Sequence, residues 1–356
     1  MGWLSGWTYR KKITIDNTKV DASLVDFPVL VALTNTNFDF TKAQPGGEDI
    51  RFTSSDGETL LKYERERHDS VNELAEYHVK VSSVSSSADT EIYLYYGNSG
   101  ASDGEDAVNV WDSNFVAVYH MNNDPSGGSG CILDSTSNAS HGTPHGSMTS
   151  GDMVSAKVGY GIDFDGSDDY IEVPYNSTLD VDYVTFEGIL WPDSVQESTY
   201  ISLLYQQTSM ACFYKNTGDF HGWVYTDPST STPKAETTSS PFTDEQYAYF
   251  AMVYDQNTIS LYVDATREAQ ESRSGAIYDA ANPLRIAVPK TTNPEHFKGI
   301  LDEIRVSSVA RSSAWIKATY HSLFGTLLSL GGEEAVTPMA IPIRLFQRPF
   351  HHLLVR

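Results

Sequence analysis

Phe164-Asp-Gly-Ser-Asp-Asp-Tyr-Ile-Glu-Val173 and, far downstream, Leu301-Asp-Glu-Ile-Arg-Val306 each set acidic residues at a turn against alternating apolar ones. That is how an antiparallel strand with one buried face reads. Between them, Tyr249-Phe-Ala-Met-Val-Tyr-Asp255 and Ile259-Ser-Leu-Tyr-Val-Asp264 flank the polar tip Gln256-Asn257. The same grammar holds upstream in Tyr9-Arg-Lys-Lys-Ile-Thr-Ile15, Phe27-Pro-Val-Leu-Val-Ala-Leu33, Asp49-Ile-Arg-Phe-Thr53, Tyr77-His-Val-Lys-Val81 and Glu91-Ile-Tyr-Leu-Tyr-Tyr96. Short strands punctuated by turn signals predict an all-β chain built from sandwiches.

With 356 residues there is room for two domains. The polar stretch Ser99-Gly-Ala-Ser-Asp-Gly-Glu-Asp106 reads as the joint. We therefore expect a β-sandwich over 1–107, a second over 108–330, and a linker with a C-terminal arm over 331–356. One helix is expected, Ser312-Ser-Ala-Trp-Ile-Lys-Ala-Thr-Tyr320, with Ser312 as its N-cap. Hydrophobic residues make up 40% of the chain, enough for packed cores, and its 21 Tyr suit strands with one wet face. A formal charge of −23 excludes a nucleic-acid partner, which requires a basic surface. The acidity reads either as solubility or as divalent-cation binding in acidic loops. The chain's two cysteines, Cys131 and Cys212, leave their pairing open. No stretch has the ~20 apolar residues of a membrane span, and the N-terminus runs into a strand without the basic and apolar run of an export signal.

In their order, the strings around Phe164, Tyr249, Ile259 and Leu301 resemble a laminin-G-like, concanavalin-A-like lectin domain over roughly 108–325. Ahead of it, Gly6-Trp-Thr-Tyr-Arg-Lys-Lys12, Asp49-Ile-Arg-Phe52 and Ile92-Tyr-Leu-Tyr-Tyr-Gly-Asn98 resemble an uncharacterised β domain commonly fused to such lectin domains. The resemblance implies that the second sandwich is a jelly roll and chiefly a binding module. It departs from the family at Asp264-Ala265, where the usual turn is Asp-Gly, and at Tyr247-Ala-Tyr249 and Ile189-Leu-Trp191.

Hydrolases of this fold class carry paired carboxylates in a pattern such as Glu-x-Asp-x-x-Glu on one strand. Glu187 has no carboxylate two or five residues on, so no enzyme is expected. In relatives a calcium ion often links the first loop to the last strand; here it would join Asn123 or Asp124 to Asp302. The turn Asp163-Phe-Asp-Gly-Ser-Asp-Asp169 reads as a solvated hairpin or as a further cation site. Histidine spacing suggests no zinc site. For carbohydrate, aromatic faces and planar polar groups are needed. His221, Trp223 and Tyr225 alternate with Gly222 and Val224 and so share one face of a strand, with Tyr205 and Tyr214 on neighbours. The competing reading is that these residues pack the core or a domain contact.

The arm Met339-Ala-Ile-Pro-Ile-Arg-Leu-Phe-Gln-Arg-Pro-Phe-His-His-Leu-Leu-Val-Arg356 is basic and apolar on an acidic chain. Arg344, Phe346, Arg348 and Phe350 are its candidate docking residues, for copies of the chain or another structural protein. The expected function is a non-enzymatic structural or adhesion protein on a virion surface, with a glycan- or receptor-binding jelly roll. The alternative is a secreted or cell-surface carbohydrate-binding adhesin, with a glycoside hydrolase ranked below both.

Overall fold

The computed structural model describes residues 2–196, 200–230, 233–288 and 295–336. The arm with Arg344, Phe346, Arg348 and Phe350 lies outside the described residues. Among the described residues the strands form two sandwiches. In the first, a four-stranded sheet of Leu328–Ala335, Tyr9–Ile15, Thr90–Tyr96 and Arg51–Ser54, in that order, faces a three-stranded sheet of Leu24–Thr34, Leu74–Val84 and Tyr63–Asp69. Alternation sends Phe27, Val29, Val31 and Leu33 inward against Ile13, Phe52, Ile92 and Leu94.

The edge strand of this first sandwich comes from the far end of the chain. Leu328–Ala335 pairs antiparallel with Tyr9–Ile15, with Ile15 opposite Leu328 and Tyr9 opposite Ala335. Arg10 and Glu334 (2.7 Å) and Lys42 and Glu333 (2.6 Å) pin it further. Residues 328–330 thus leave the jelly roll, and 331–335 are strand instead of linker. Sequence alone points to an arm here because a strand of Gly-Gly-Glu-Glu gains its fit only from Tyr9–Ile15. The helix is Ser313–Leu323, its first turn held by Ser312 Oγ accepting from the Trp315 N–H. Its Trp315 packs edge-on against Phe27 at 4.9 Å, so the helix also closes over the first sandwich.

The second sandwich is a jelly roll. One sheet runs Thr266–Ser272, Thr258–Val263, Ala248–Tyr254, Val184–Pro192, Lys298–Ser307, Tyr160–Asp165, Met153–Ser155, with Phe115–Tyr119 also pairing to Lys298–Ser307. The other runs Ala235–Glu236, Phe220–Val224, Met210–Lys215, Tyr200–Gln206, Leu284–Ile286, Tyr170–Val173, Thr143–His145. Phe164, Phe186, Phe250, Met252, Leu261 and Leu301 meet Leu204, Cys212, Phe220 and Ile286 between them. Both cysteines are free.

The outer face of the first of these sheets is buried by the first sandwich. Ile189, Tyr249, Ala251 and Tyr262 pack there with Leu30, Val158, Ile316 and Leu323. A bulge shapes this contact. Glu187 lies opposite Arg305 but Ile189 lies opposite Asp302, so Glu303 and Ile304 together face Gly188. Glu303 takes φ 53, left-handed backbone that non-glycine residues rarely adopt. The extra residue resets the alternation: Leu301, Ile304 and Val306 point into the core, and Asp302, Glu303 and Arg305 point into the layer between the sandwiches.

The departure at Asp264-Ala265 makes a two-residue hairpin with Val263 opposite Thr266. Both turn residues have positive φ, 45 and 70, the conformation a type I′ turn demands and glycine prefers. Asp264 is held by the Tyr249 N–H donating to its Oδ1 at 2.9 Å, whereas Ala265 gains nothing from its Cβ. Ala265→Gly should raise stability by about 0.5–1 kcal/mol, read as a higher urea midpoint at unchanged slope.

Candidate functional site

Strand Phe220–Val224 lies second from one edge of the second jelly-roll sheet. Phe220 and Val224 enter the core. Gly222 shares their side, where a Cβ would stand 2.6 Å from Met252 Sδ and 2.8 Å from Leu261 Cδ2. His221 and Trp223 therefore face outward. On the neighbouring Met210–Lys215, the same alternation turns Met210, Cys212 and Tyr214 inward and leaves Ala211, Phe213 and Lys215 outward.

Two rows cross this face in register. The first runs Trp223, Ala211, Tyr205, Arg285, Glu172, Thr143. Ala211 is a low floor between Trp223 and Tyr205, and Arg285 Nε donates to Glu172 Oε2 at 2.9 Å. The second row runs Glu236, His221, Phe213, Ser202. Phe213 joins the rows: His221 stacks on it at 5.0 Å, Trp223 meets it edge-on at 4.2 Å, and Tyr200 at 5.5 Å. Trp223 is half-buried, and its indole Nε1 has no hydrogen-bond partner. Ala211, Phe213, Tyr205 and His221 are buried, so what the face offers to a ligand is the half-buried Trp223 at one end and the half-buried Arg285–Glu172 pair at the other. These are an aromatic face and planar charged groups of the kind that pack on sugar C–H faces and bind hydroxyls.

The electrostatics fit a neutral, aromatic centre with charged edges. Burial pushes the His221 pKa down to about 4, against the pull of Glu236, whose Oε1 lies 3.3 Å from Nε2. Glu236 in turn meets Lys215 Nζ at 2.8 Å. Burial, with Tyr225 nearby, raises the Tyr205 phenol to about 12.

Of the sequence-predicted residues, His221 and Trp223 share the face, and Tyr225 follows them at its rim, half-buried. Tyr214 lies on the opposite side of its strand, in the core edge-on to Phe242 and Phe297. Asp124 is exposed and caps a short 3₁₀ turn by accepting from the Ser126 N–H. Asp302 is fully buried in the interdomain layer, its Oδ2 accepting from the Val158 N–H at 2.8 Å. Glu187, at 1% exposure, accepts from the Tyr249 hydroxyl at 2.6 Å in the same layer. Sequence reasoning missed Phe213, Ala211, Arg285 and Glu172, because cross-strand neighbours are set by a register no local pattern announces.

Among the described residues, three groups have ligating atoms close enough to share a metal ion: Glu66, His78, His120 and Glu303; Asp219, His221 and Glu236; and Asp165, Asp168 and Asp169. Neither Asp124 nor Asp302 belongs to one of them. In the third, burial and the neighbouring Asp165 raise Asp169 to about 6, and its Oδ1 lacks a hydrogen-bond partner.

The geometry defines a two-sandwich protein whose second sandwich is a lectin-type jelly roll. Residues 165–317 match the family described as the concanavalin A-like lectin/glucanases superfamily, and 46–126 match a domain of unknown function (DUF2341). The chain thus joins a domain of that uncharacterised family to a concanavalin A-like domain. No curated protein matches it. Among solved structures it is similar to domain 4 of AbnA, an extracellular arabinanase of Geobacillus stearothermophilus solved with arabinotriose, at 16% identity and TM-score 0.44, covering 57% of this chain and 97% of that one. It is also similar to the binding domain of Paraclostridial Mosquitocidal Protein 1, at 12% and 0.47, covering 59% of this chain and 52% of that one. A third is the Ruminococcus gnavus IT-sialidase CBM40 bound to α2,3 sialyllactose, at 12% and 0.36, covering 45% and 96%.

Because the unfolded chain takes up the His221 proton near ~6.5 and the folded one only near about 4, this residue makes stability rise with pH between those values. NMR titration of the ring should show His221 neutral down to about pH 4. His221→Gln should flatten that part of the stability-versus-pH curve.

Proposed function

We propose that the jelly roll is a non-catalytic carbohydrate-binding module whose ligand lies along the Trp223, Ala211, Tyr205, Arg285 row. The observation that carries this reading is the row itself: two aromatic side chains flank an alanine floor and end on an Arg–Glu pair, all on the outer side of one sheet. The superfamily's description names lectins and glucanases. Glu187 sits in the sealed layer against the first sandwich, away from this face, which favours the lectin side. Among the described residues no helix is long and apolar enough to cross a membrane.

Glycan-array screening followed by calorimetry tests the proposal. Trp223→Ala should weaken the best glycan at least tenfold, about 1.4 kcal/mol, with the melting temperature held. Silence on the array together with unchanged cell binding by Trp223→Ala would remove the sugar reading.

Calcium belongs to the same proposal, at the oxygen-rich turn of Asp165, Asp168 and Asp169, where it would stiffen the loop joining the two sheets. Calcium returned to chelated protein should raise the melting temperature, and no change removes it. Display on a virion or cell surface is the remaining part and rests on the sequence of the arm. Sedimentation of the full chain and of a chain ending at residue 338 checks it: the full chain should associate and the shorter one should not.

A further inference from the structure

The layer between the sandwiches holds more charge than packing requires. Glu64, Glu66 and His78 come from the first sandwich; His120, Glu187, Asp302, Glu303 and Arg305 come from the second. The side chains of Glu66, His78, His120, Glu303 and Arg305 are between 0% and 4% exposed. Five carboxyl groups thus face one guanidinium, which pairs with Glu303, and two imidazoles, His78 against Glu66 and His120 against Glu303. Buried like charges at this density are strongly unfavourable without a counter-charge.

Four atoms converge at the centre. His78 Nε2 stands 3.1 Å from Glu66 Oε2 and 3.5 Å from Glu303 Oε1. His120 Nδ1 stands 3.8 Å from Glu66 Oε2 and 2.6 Å from Glu303 Oε1. All four lie within 4.8 Å of one another. Ligands held about 2.0–2.1 Å from a tetrahedral zinc ion stand about 3.3 Å apart, which is the middle of these separations. The imidazoles lie nearly parallel at 4.6 Å.

The surroundings are built for ligation. Both carboxylates arrive on bulges. Glu303 sits on the one already described, and Glu66 is the extra residue of another, since Arg65 and Arg67 pair with the consecutive residues Tyr77 and Glu76. Glu66 Oε1 and His78 Nδ1 are buried without hydrogen-bond partners. The far nitrogen of His120, Nε2, lies 3.3 Å from Glu64 Oε2, near it but not hydrogen-bonded to it. Glu64 is itself fixed by Trp111 Nε1 at 2.7 Å and Ser135 Oγ at 2.6 Å. A carboxylate behind an imidazole fixes the tautomer and aims the other nitrogen's lone pair at a metal.

We propose that Glu66, His78, His120 and Glu303 bind one divalent transition-metal ion, zinc foremost, as a structural clamp between the two sandwiches. Imidazole nitrogens exclude calcium and magnesium as the preferred occupants. Four protein ligands, all shut from solvent, make a closed site with no position for substrate, as structural zinc has.

Elemental analysis of the full chain, purified without chelators, tests this. The expected result is about one zinc per chain, with cobalt(II) exchange giving the visible absorption of a four-coordinate ion. Chelation should strip the metal and lower the melting temperature, and zinc should restore it. His78→Gln should abolish the cobalt spectrum. Glu64→Gln, which leaves all four ligands in place, should weaken zinc affinity about 10–100-fold and serves if His78→Gln fails to fold. Metal-free protein whose melting temperature ignores added zinc and cobalt would overturn the proposal. So would zinc retained in a folded His78→Gln, His120→Gln double variant.

Discussion

The outer face of the sheet containing Lys298–Ser307 cannot stand in water and cannot be covered by just any partner. It presents Ile189, Tyr249 and Ala251 beside Glu187, Asp302, Glu303 and Arg305. Apolar surface calls for cover, while buried charges call for cover whose polar groups meet them within hydrogen-bond distance. The first sandwich meets both needs through Leu30 on one side and Glu64, Glu66 and His78 on the other. Its orientation is thereby fixed as a lock is, not as two oily surfaces are. The same rule governs the rim. There Arg311 forms a two-pronged pair with Asp112, both contacts 2.9 Å, and its guanidinium lies 4.4 Å from the Phe115 ring and 4.0 Å from the Trp315 ring.

The two outer faces of the jelly roll have opposite fates, and a one-residue difference in backbone decides each. On Met210–Lys215 strict alternation separates Phe213, on the outer face, from Tyr214, in the core. On Lys298–Ser307 the left-handed residue at Glu303 breaks alternation and places two acids side by side. Without that bulge Ile304 and Val306 would face the layer and Glu303 and Arg305 the core. The strain at Glu303 keeps three others, Ile304, Arg305 and Val306, on their proper sides.

Much of the fold is legible because its signals are local. Alternating strings mark Phe27–Leu33 and Tyr249–Asp255, and the Ser312 cap marks the helix start within one residue. The His221, Gly222, Trp223 alternation places the two polar-aromatic residues on one face without any knowledge of the fold. The zinc-like cluster is illegible for the converse reason. Residues 66, 78, 120 and 303 have no spacing that a motif could express, and they meet only after two domains dock. The return of Leu328–Ala335 is hidden likewise, since its partner Tyr9–Ile15 lies at the other end of the chain. Asp302 shows the limit of analogy: the residue is where the resemblance puts it, on the last strand of the jelly roll, but in this chain a second domain closes over it.

That returning strand also sets an order of events during synthesis. Leu24–Thr34 and Leu74–Val84 are made early and can pair with each other at once. Tyr9–Ile15 must wait with one edge open until more than 230 further residues, from Thr90–Tyr96 to Leu328–Ala335, have been made. An unpaired edge is an invitation to other chains, and here it persists until Leu328–Ala335 is made. The first sandwich is thus begun before the jelly roll and closed only after it, so its last strand reaches an edge that has stood open throughout the making of the second domain.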